Sequence, residues 1–247
     1  SAPMIENTDP TYMSYSTSPT GNWSKPVLVL GPTIVPKMTP MDTNMAAVIL
    51  SNGSLVGMWR DHEPTGKSVP HLVTATNWKD AKTYVYSRDD LLFGKKKVKI
   101  DENDEQQIQH HHSKNPGGLE DMFLWRDANT HYHAVFHQQY DCDTCTAHAY
   151  SLDGIDWYYS GTAATAMTTY TDGEREDFGH CERPHILFDK DGTTPVALTN
   201  GVKIQGMSND DQSFTLLRPL ATPATPETST TPETSTTPET STTPETS

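Results

Sequence analysis

Three cysteines stand in the second half of the chain: Cys142, Cys145 and Cys181. The run Asp141-Cys142-Asp143-Thr144-Cys145-Thr146-Ala147-His148 has the close thiol spacing of a metal knuckle, and His180-Cys181 offers further ligands to a tetrahedral zinc. A structural zinc usually takes two close ligand pairs, and here the second is only His-Cys. The first expectation is therefore a disulfide from Cys181 to Cys142 or Cys145, then free buried thiols, with no metal or other cofactor. An odd count leaves at least one free thiol or an intermolecular bond. His110-His111-His112 lies mid-chain and reads as an exposed loop, with weak metal binding as the minor alternative.

Hydroxyl and amide acceptors for sugars form a second chemical set. Asn22-Trp23-Ser24 and Asn52-Gly53-Ser54 are N-glycosylation tripeptides at Asn22 and Asn52. Residues 225–247 repeat the hexapeptide TPETST in four copies, the last cut short, with Pro at 226, 232, 238 and 244. Each proline fixes φ and biases its predecessor toward extended geometry, which excludes helix and inner strand. Polyproline II has three residues per turn, so each repeat is two whole turns. Ser/Thr/Pro composition of this kind marks O-glycosylated stalks. The expected acceptors are Thr225, Thr228, Ser229, Thr230, Thr231, Thr234, Ser235, Thr236, Thr237, Thr240, Ser241, Thr242, Thr243 and Thr246.

These groups need a scaffold to position them. With 18 Lys plus Arg against 32 Asp plus Glu, the formal charge is −14. No basic stripe is available to neutralise phosphates, so no nucleic-acid partner is expected. No apolar run approaches the ~18–20 residues that cross a bilayer. The chain opens Ser1-Ala2-Pro3 with no charged-plus-apolar leader, so any secretory signal is expected to have been removed, and the two sequons with the Thr/Pro tail point to a secreted, extracellular protein. Residues 1–220 are expected to form one domain and 221–247 the repeat tail.

The domain reads as all-β. Short apolar or alternating runs recur at 45–50, 54–60, 71–76, 84–87, 122–125, 131–137, 147–151, 186–188, 196–199 and 213–217. Asn52-Gly53, Asp153-Gly154 and Asp191-Gly192 punctuate them as turns. No stretch sustains a 3.6 period, and 106–112 offers a helical turn at most. The strands gather in groups of about four that start near 42, 121 and 182, the pattern of β-propeller blades.

Three segments carry a family resemblance. Glu120-Asp121-Met122-Phe123-Leu124-Trp125 followed by His131–His137 resembles the RDPF blade opening of glycoside hydrolase family 43. Ala149–Trp157 is similar to the strand with Asp-Gly and Trp that follows it, and Cys181-Glu182-Arg183-Pro184-His185 to that family's EGPHL segment. The resemblance implies a five-bladed propeller, here five-bladed or abbreviated, that cleaves glycosidic bonds with inversion. By position it implies Glu182 as general acid, Asp121 as the carboxylate that orients and tunes it, and Asp42 as general base, with Asp61 as second candidate. An inverting pair stands ~6.5–9.5 Å apart so that water fits between. Trp59, Arg60, Trp125, His137, Arg183 and His185 are the expected sugar-binding residues, although Trp59, Trp125 and Trp157 serve more often as core. Met122 and Arg183 depart from the family's Pro and Gly.

Two functions follow as expectations. One is an active secreted glycosidase, or a carbohydrate-binding propeller that has lost catalysis. The other, favoured from the tail, is a glycosylated structural subunit of an extracellular fibre or wall, a homo-oligomer or filament. A polyproline rod loses little entropy on ordering, so weak contacts repeated in each hexad suffice to hold it against a neighbour. Glycans are the expected partners in either case.

Overall fold

The structure is a computed structural model that describes residues 10–35, 44–62, 68–90, 118–139, 145–206 and 212–220. Asp42, Cys142, the His110–His112 run, the 106–112 segment and the whole repeat tail lie outside the described residues.

The described chain is all-β, fourteen strands with one 3-10 turn at Ala81–Thr83. β1 (Thr11–Met13) and β2 (Val27–Leu30) form a two-stranded antiparallel pair. Sheet 1 is a meander of β3 (Met45–Ile49), β4 (Leu55–His62), β5 (Ser68–Ala75) and β6 (Tyr84–Asp90). Sheet 2 repeats the pattern with β7 (Leu119–Arg126), β8 (Tyr132–Gln138), β9 (Cys145–Ser151) and β10 (Trp157–Ala164). Sheet 3 contains β11 (Met167–Thr169), β12 (Arg175–Phe188), β13 (Pro195–Ile204) and β14 (Phe214–Pro219). The Gly of each predicted turn, Gly53, Gly154 and Gly192, has φ of 83°, 80° and 71°, backbone that a side chain would strain.

Alternation along the strands decides how the sheets stack. One face of sheet 2 presents Leu119, Leu124, Tyr132, Ala134, Phe136, Ala147, Ala149 and Trp157, which pack on Met58, Val48 and Val56 of sheet 1. Its other face presents Val135, Phe123 and Trp125 to Ile186, Leu198 and Phe188 of sheet 3. The far face of sheet 1 buries Leu55, Trp59, Val73 and Ala75 against Leu30 and Val35. There the Tyr86 hydroxyl donates to the Val29 carbonyl. The order is therefore β1–β2, sheet 1, sheet 2, sheet 3, with β7 touching both β3 and β12. Consecutive four-stranded meanders stacked face to face are propeller blades.

Close packing of β3 on β4 depends on Gly57. A Cβ there would stand 2.6 Å from the Ala46 carbonyl oxygen, 2.9 Å from Ala47 Cβ and 3.1 Å from Val73 Cγ1. Gly57→Ala is expected to cost about 1–3 kcal/mol through forced backbone shift. Chemical denaturation checks it: an unmoved midpoint would show room that the structure does not have.

The cysteine expectation needs correction. Cys145 is disulfide-bonded, but Cys181 is a buried free thiol, so the Cys181 disulfide does not form. Alternation on β9 is the reason. Cys145 shares a face with Ala147 and Ala149, which pack toward sheet 1, opposite the Thr146 that meets Asn200 of sheet 3, whereas sheet 3 packs Cys181 beside Phe178, Val202 and Leu216. There Arg218 Nη2 donates to its sulfur at 3.3 Å, and burial pushes the thiol pKa up.

Candidate active site

The first strand of sheet 2 and the long β12 of sheet 3 share a local irregularity. Pairing of β7 with β8 slips between Glu120 and Phe123, and pairing of β12 with β13 slips between Glu182 and His185. At each slip one residue enters the left-handed region: Asp121 and Arg183, both at φ 51°. Just ahead of β3, Asn44 has φ 21°. The short polar side chains of Asn44 and Asp121 tolerate this backbone, Arg183 is strained in it, and such bulges re-aim side chains at functional sites. Asn44, Asp121 and Arg183 occupy matching places in the three sheets, and their side chains meet. The Asn44 amide donates to Asp121 Oδ1 at 2.6 Å, and Arg183 Nε stands 4.0 Å from Asp121 Oδ2.

A second layer lies beneath this row. Arg60, at the end of β4, pairs with Glu120 Oε2, and His137 Nδ1, from β8, stands 3.1 Å from Glu120 Oε1. Burial would raise the Glu120 pKa, but the His137 hydrogen bond and the Arg60 charge outweigh it and hold the carboxyl below its ordinary range. Asp121 goes the other way. Its burial raises the pKa, the Glu120 charge adds to that, and the Asn44, Arg183 and His137 contributions do not cancel it.

Glu120, Asp121 and His137 offer three ligand atoms within 4.8 Å of one another. Glu120 is already engaged by a guanidinium and an imidazole, and Arg183 faces Asp121. That surrounding positive charge opposes a cation, so the cluster reads as an ion-pair network.

Of the residues expected from sequence, Asp121, Arg183, Arg60 and His137 come together here. Glu182 lies beside Arg183 on β12, half-exposed. His180 Nδ1 stands 3.2 Å from its Oε1, and its backbone carbonyl accepts from Asn200 at 3.5 Å. Asp61 is buried on β4. Trp59 is fully buried, tilted against His71 at 4.9 Å and edge-on to Tyr86, in the core position that tryptophan more often takes. Trp125 lies on His133 at 5.0 Å and His185 on Phe123 at 3.9 Å, both between sheets 2 and 3. Asn22 and Asn52 are exposed. Glu120 and Asn44 were not legible as site residues. The one available signal is Glu120 directly preceding Asp121, an acidic pair at a strand start.

The fold and the site thus define an all-β, blade-built protein with a carboxylate-centred cluster drawn from three successive sheets. No protein-family model and no curated protein matches the chain. Solved structures similar to it include a family 117 glycoside hydrolase of the marine bacterium Zobellia galactanivorans, 12% identical over 86% of this chain and 51% of that one, TM-score 0.44. A glycosyl hydrolase from Bacteroides ovatus is 19% identical over 72% and 50%, TM-score 0.40. A family 32 β-fructofuranosidase from Bombyx mori is 11% identical over 74% and 36%, TM-score 0.40. The chain spans about half, or less, of these structures. At such TM-scores the likenesses carry no argument, and function rests on the chain's own residues.

Proposed function

We propose that the chain is a carbohydrate-directed propeller of the glycoside-hydrolase type, with Glu182 as proton donor and Asp121 as the carboxyl that orients and tunes it. Asp42 is the candidate base and Asp61 its alternative. The observation that carries this reading is the meeting of Asn44, Asp121 and Arg183 at matching kinks of three successive blades, with Glu182 next in the chain. Burial keeps Asp121 protonated to higher pH than an ordinary aspartate, an environment suited to acid–base work on a glycosidic oxygen. Asn44 and Arg183 fix its orientation, and His180 Nδ1 stands 3.2 Å from Glu182 Oε1.

The test is hydrolysis of a panel of aryl glycosides and oligosaccharides by the full chain, with anomeric products read by NMR. Hydrolysis with inversion is expected. Glu182→Gln and Asp121→Asn should each lower kcat/KM about 100-fold or more, with circular dichroism unchanged. A wild-type chain that cleaves nothing, or a Glu182→Gln variant as active as wild type, would overturn the reading. Binding on a glycan array without cleavage would support a carbohydrate-binding propeller instead.

Secretion and glycosylation belong to the same proposal and are checked by mass spectrometry of protein from a secretory host. The fibre-subunit reading rests on the repeat tail, which lies outside the described residues, and the described fold adds no support to it.

A further inference from the structure

On the face of sheet 2 that looks toward sheet 3, a polar chain runs from the end of β7 across β8 and β9 to β10, away from the cluster at Asp121. Asp127 Oδ2, just past β7, stands 3.4 Å from His133 Nε2 on β8. His133 Nδ1 stands 3.2 Å from His148 Nε2 on β9, and His148 Nδ1 stands 3.0 Å from Ser160 Oγ on β10. Trp125 stacks on His133 with an interplanar angle of 16° and closes one side of the row.

The donor directions follow from one end. Burial would raise the Asp127 pKa, but the His131 backbone N–H and the His133 ring outweigh it, so Asp127 is a carboxylate and can only accept. His133 Nε2 therefore donates. Burial also lowers both histidine pKa values, that of His148 to about 4, so both rings are neutral near pH 7. His133 Nδ1 must then accept from His148 Nε2–H, which leaves His148 Nδ1 as an acceptor. The only arrangement that satisfies every atom has Ser160 donating its hydroxyl proton to His148.

Ser160 is also placed to meet a ligand. It is the extra residue of a β-bulge, since Tyr159 pairs with Ala149 and Gly161 with His148, and it is exposed. The next residue, Gly161, has φ 115° and nothing within 4 Å of the position a Cβ would take.

We propose that Ser160 is a nucleophile held by a Ser160–His148–His133–Asp127 relay and acting on small activated carboxylic esters. Ser160 Oγ attacks the ester carbonyl carbon while its proton passes to His148 Nδ1. The bond to the alcohol oxygen breaks, and the departing alkoxide takes that proton. Water, deprotonated by the same nitrogen, then releases the carboxylic acid and restores the hydroxyl, so ester plus water gives acid plus alcohol. His148 is the base. His133 is a positioning residue, fixing the His148 tautomer against Asp127, with His131 Nδ1 3.7 Å from the same carboxylate. None of these groups belongs to the proposed glycoside site.

The experiment incubates the full chain with 4-nitrophenyl acetate and a fluorophosphonate probe and maps adducts by peptide mass spectrometry. An adduct on Ser160 is expected, absent in Ser160→Ala and formed about 100-fold more slowly in His148→Gln. In wild type the labelling rate should be level from pH 9 down to about 6 and fall only toward pH 4, as His148 takes a proton. His133→Gln should move that pH profile while circular dichroism stays unchanged. The proposal is overturned if the adduct maps elsewhere or nowhere, or if His148→Gln labels as fast as wild type. A wild-type rate that simply climbs with hydroxide would also overturn it. Should the histidine variants fail to fold, the wild-type adduct map and pH profile still decide.

Discussion

Arg60→Met is expected to destabilise the protein by about 3–5 kcal/mol, the range for removing one partner of a buried ion pair. Arg60 is 8% exposed and its partner Glu120 15%, so neither charge has water to fall back on. Without the guanidinium, Glu120 keeps the His137 and Gln139 hydrogen bonds but loses the Arg60 charge, and the balance that holds its carboxyl low shifts back toward burial. The pair also spans two blades, Arg60 from β4 and Glu120 from β7, so its loss loosens the junction on which Asp121 sits. The double variant Arg60→Met/Glu120→Met should recover much of the loss, because both charges then leave together and apolar volume replaces them. Urea denaturation of wild type, single and double variants measures this. A single variant within 1 kcal/mol of wild type would mean that the pair is solvated in solution.

Acid is expected to weaken the fold through His148. Its pKa falls from the ordinary 6.5 to about 4, first because it is buried and second because His133 lies beside it. The unfolded chain then binds a proton between these limits that the folded chain does not, so stability is full above pH 6.5 and drains as pH falls toward 4. The difference is worth about 3 kcal/mol for complete passage through that window. His133, shifted in the same direction, steepens the loss, and the depressed Asp127 extends it to lower pH. Melting temperatures of wild type and His148→Gln at pH 7.5 and 4.5 test this. Wild type should lose more than the variant, and equal losses would show that His148 titrates normally.

The strand runs were legible because alternation and Asn-Gly or Asp-Gly turns are local signals. The run at 131–137 became β8, and 45–50 became β3, each within a residue or so. Trp157–Ala164 was missed for a physical reason. Two bulges, at Tyr159/Gly161 and Thr162/Ala164, break the period of two, and Gly161 with two alanines looks like a turn. β1 and β2 are short segments whose core role comes from covering sheet 1, which no local pattern reveals. For the site, the places of Asp121 and Glu182 came from motif order. The Arg60–Glu120 pair did not, because its partners sit sixty residues apart and meet only through sheet stacking. The histidine relay had a weaker signal. Asp127 and His131 flank the tight Ala128-Asn129-Thr130 turn, and His133 follows two residues on in β8, on the same face as His131.

Serial stacking of the sheets has a consequence for how the chain comes together. Most strand pairs join neighbours in sequence, so each blade closes its own short loops before it needs the next. Sheet 2 has apolar contacts on both faces and gains its full burial only when both flanking blades are in place. Blades at the ends of the row open without disturbing more than one neighbour. Local opening should therefore run inward from the ends, with Ala134 and Ala147 among the last backbone groups to meet solvent. The Asp121 cluster, drawn from all three sheets, forms only when the row is complete. The side chains of the Ser160 relay come from sheet 2 and the residue just past its first strand, so they can assemble earlier, with a single blade.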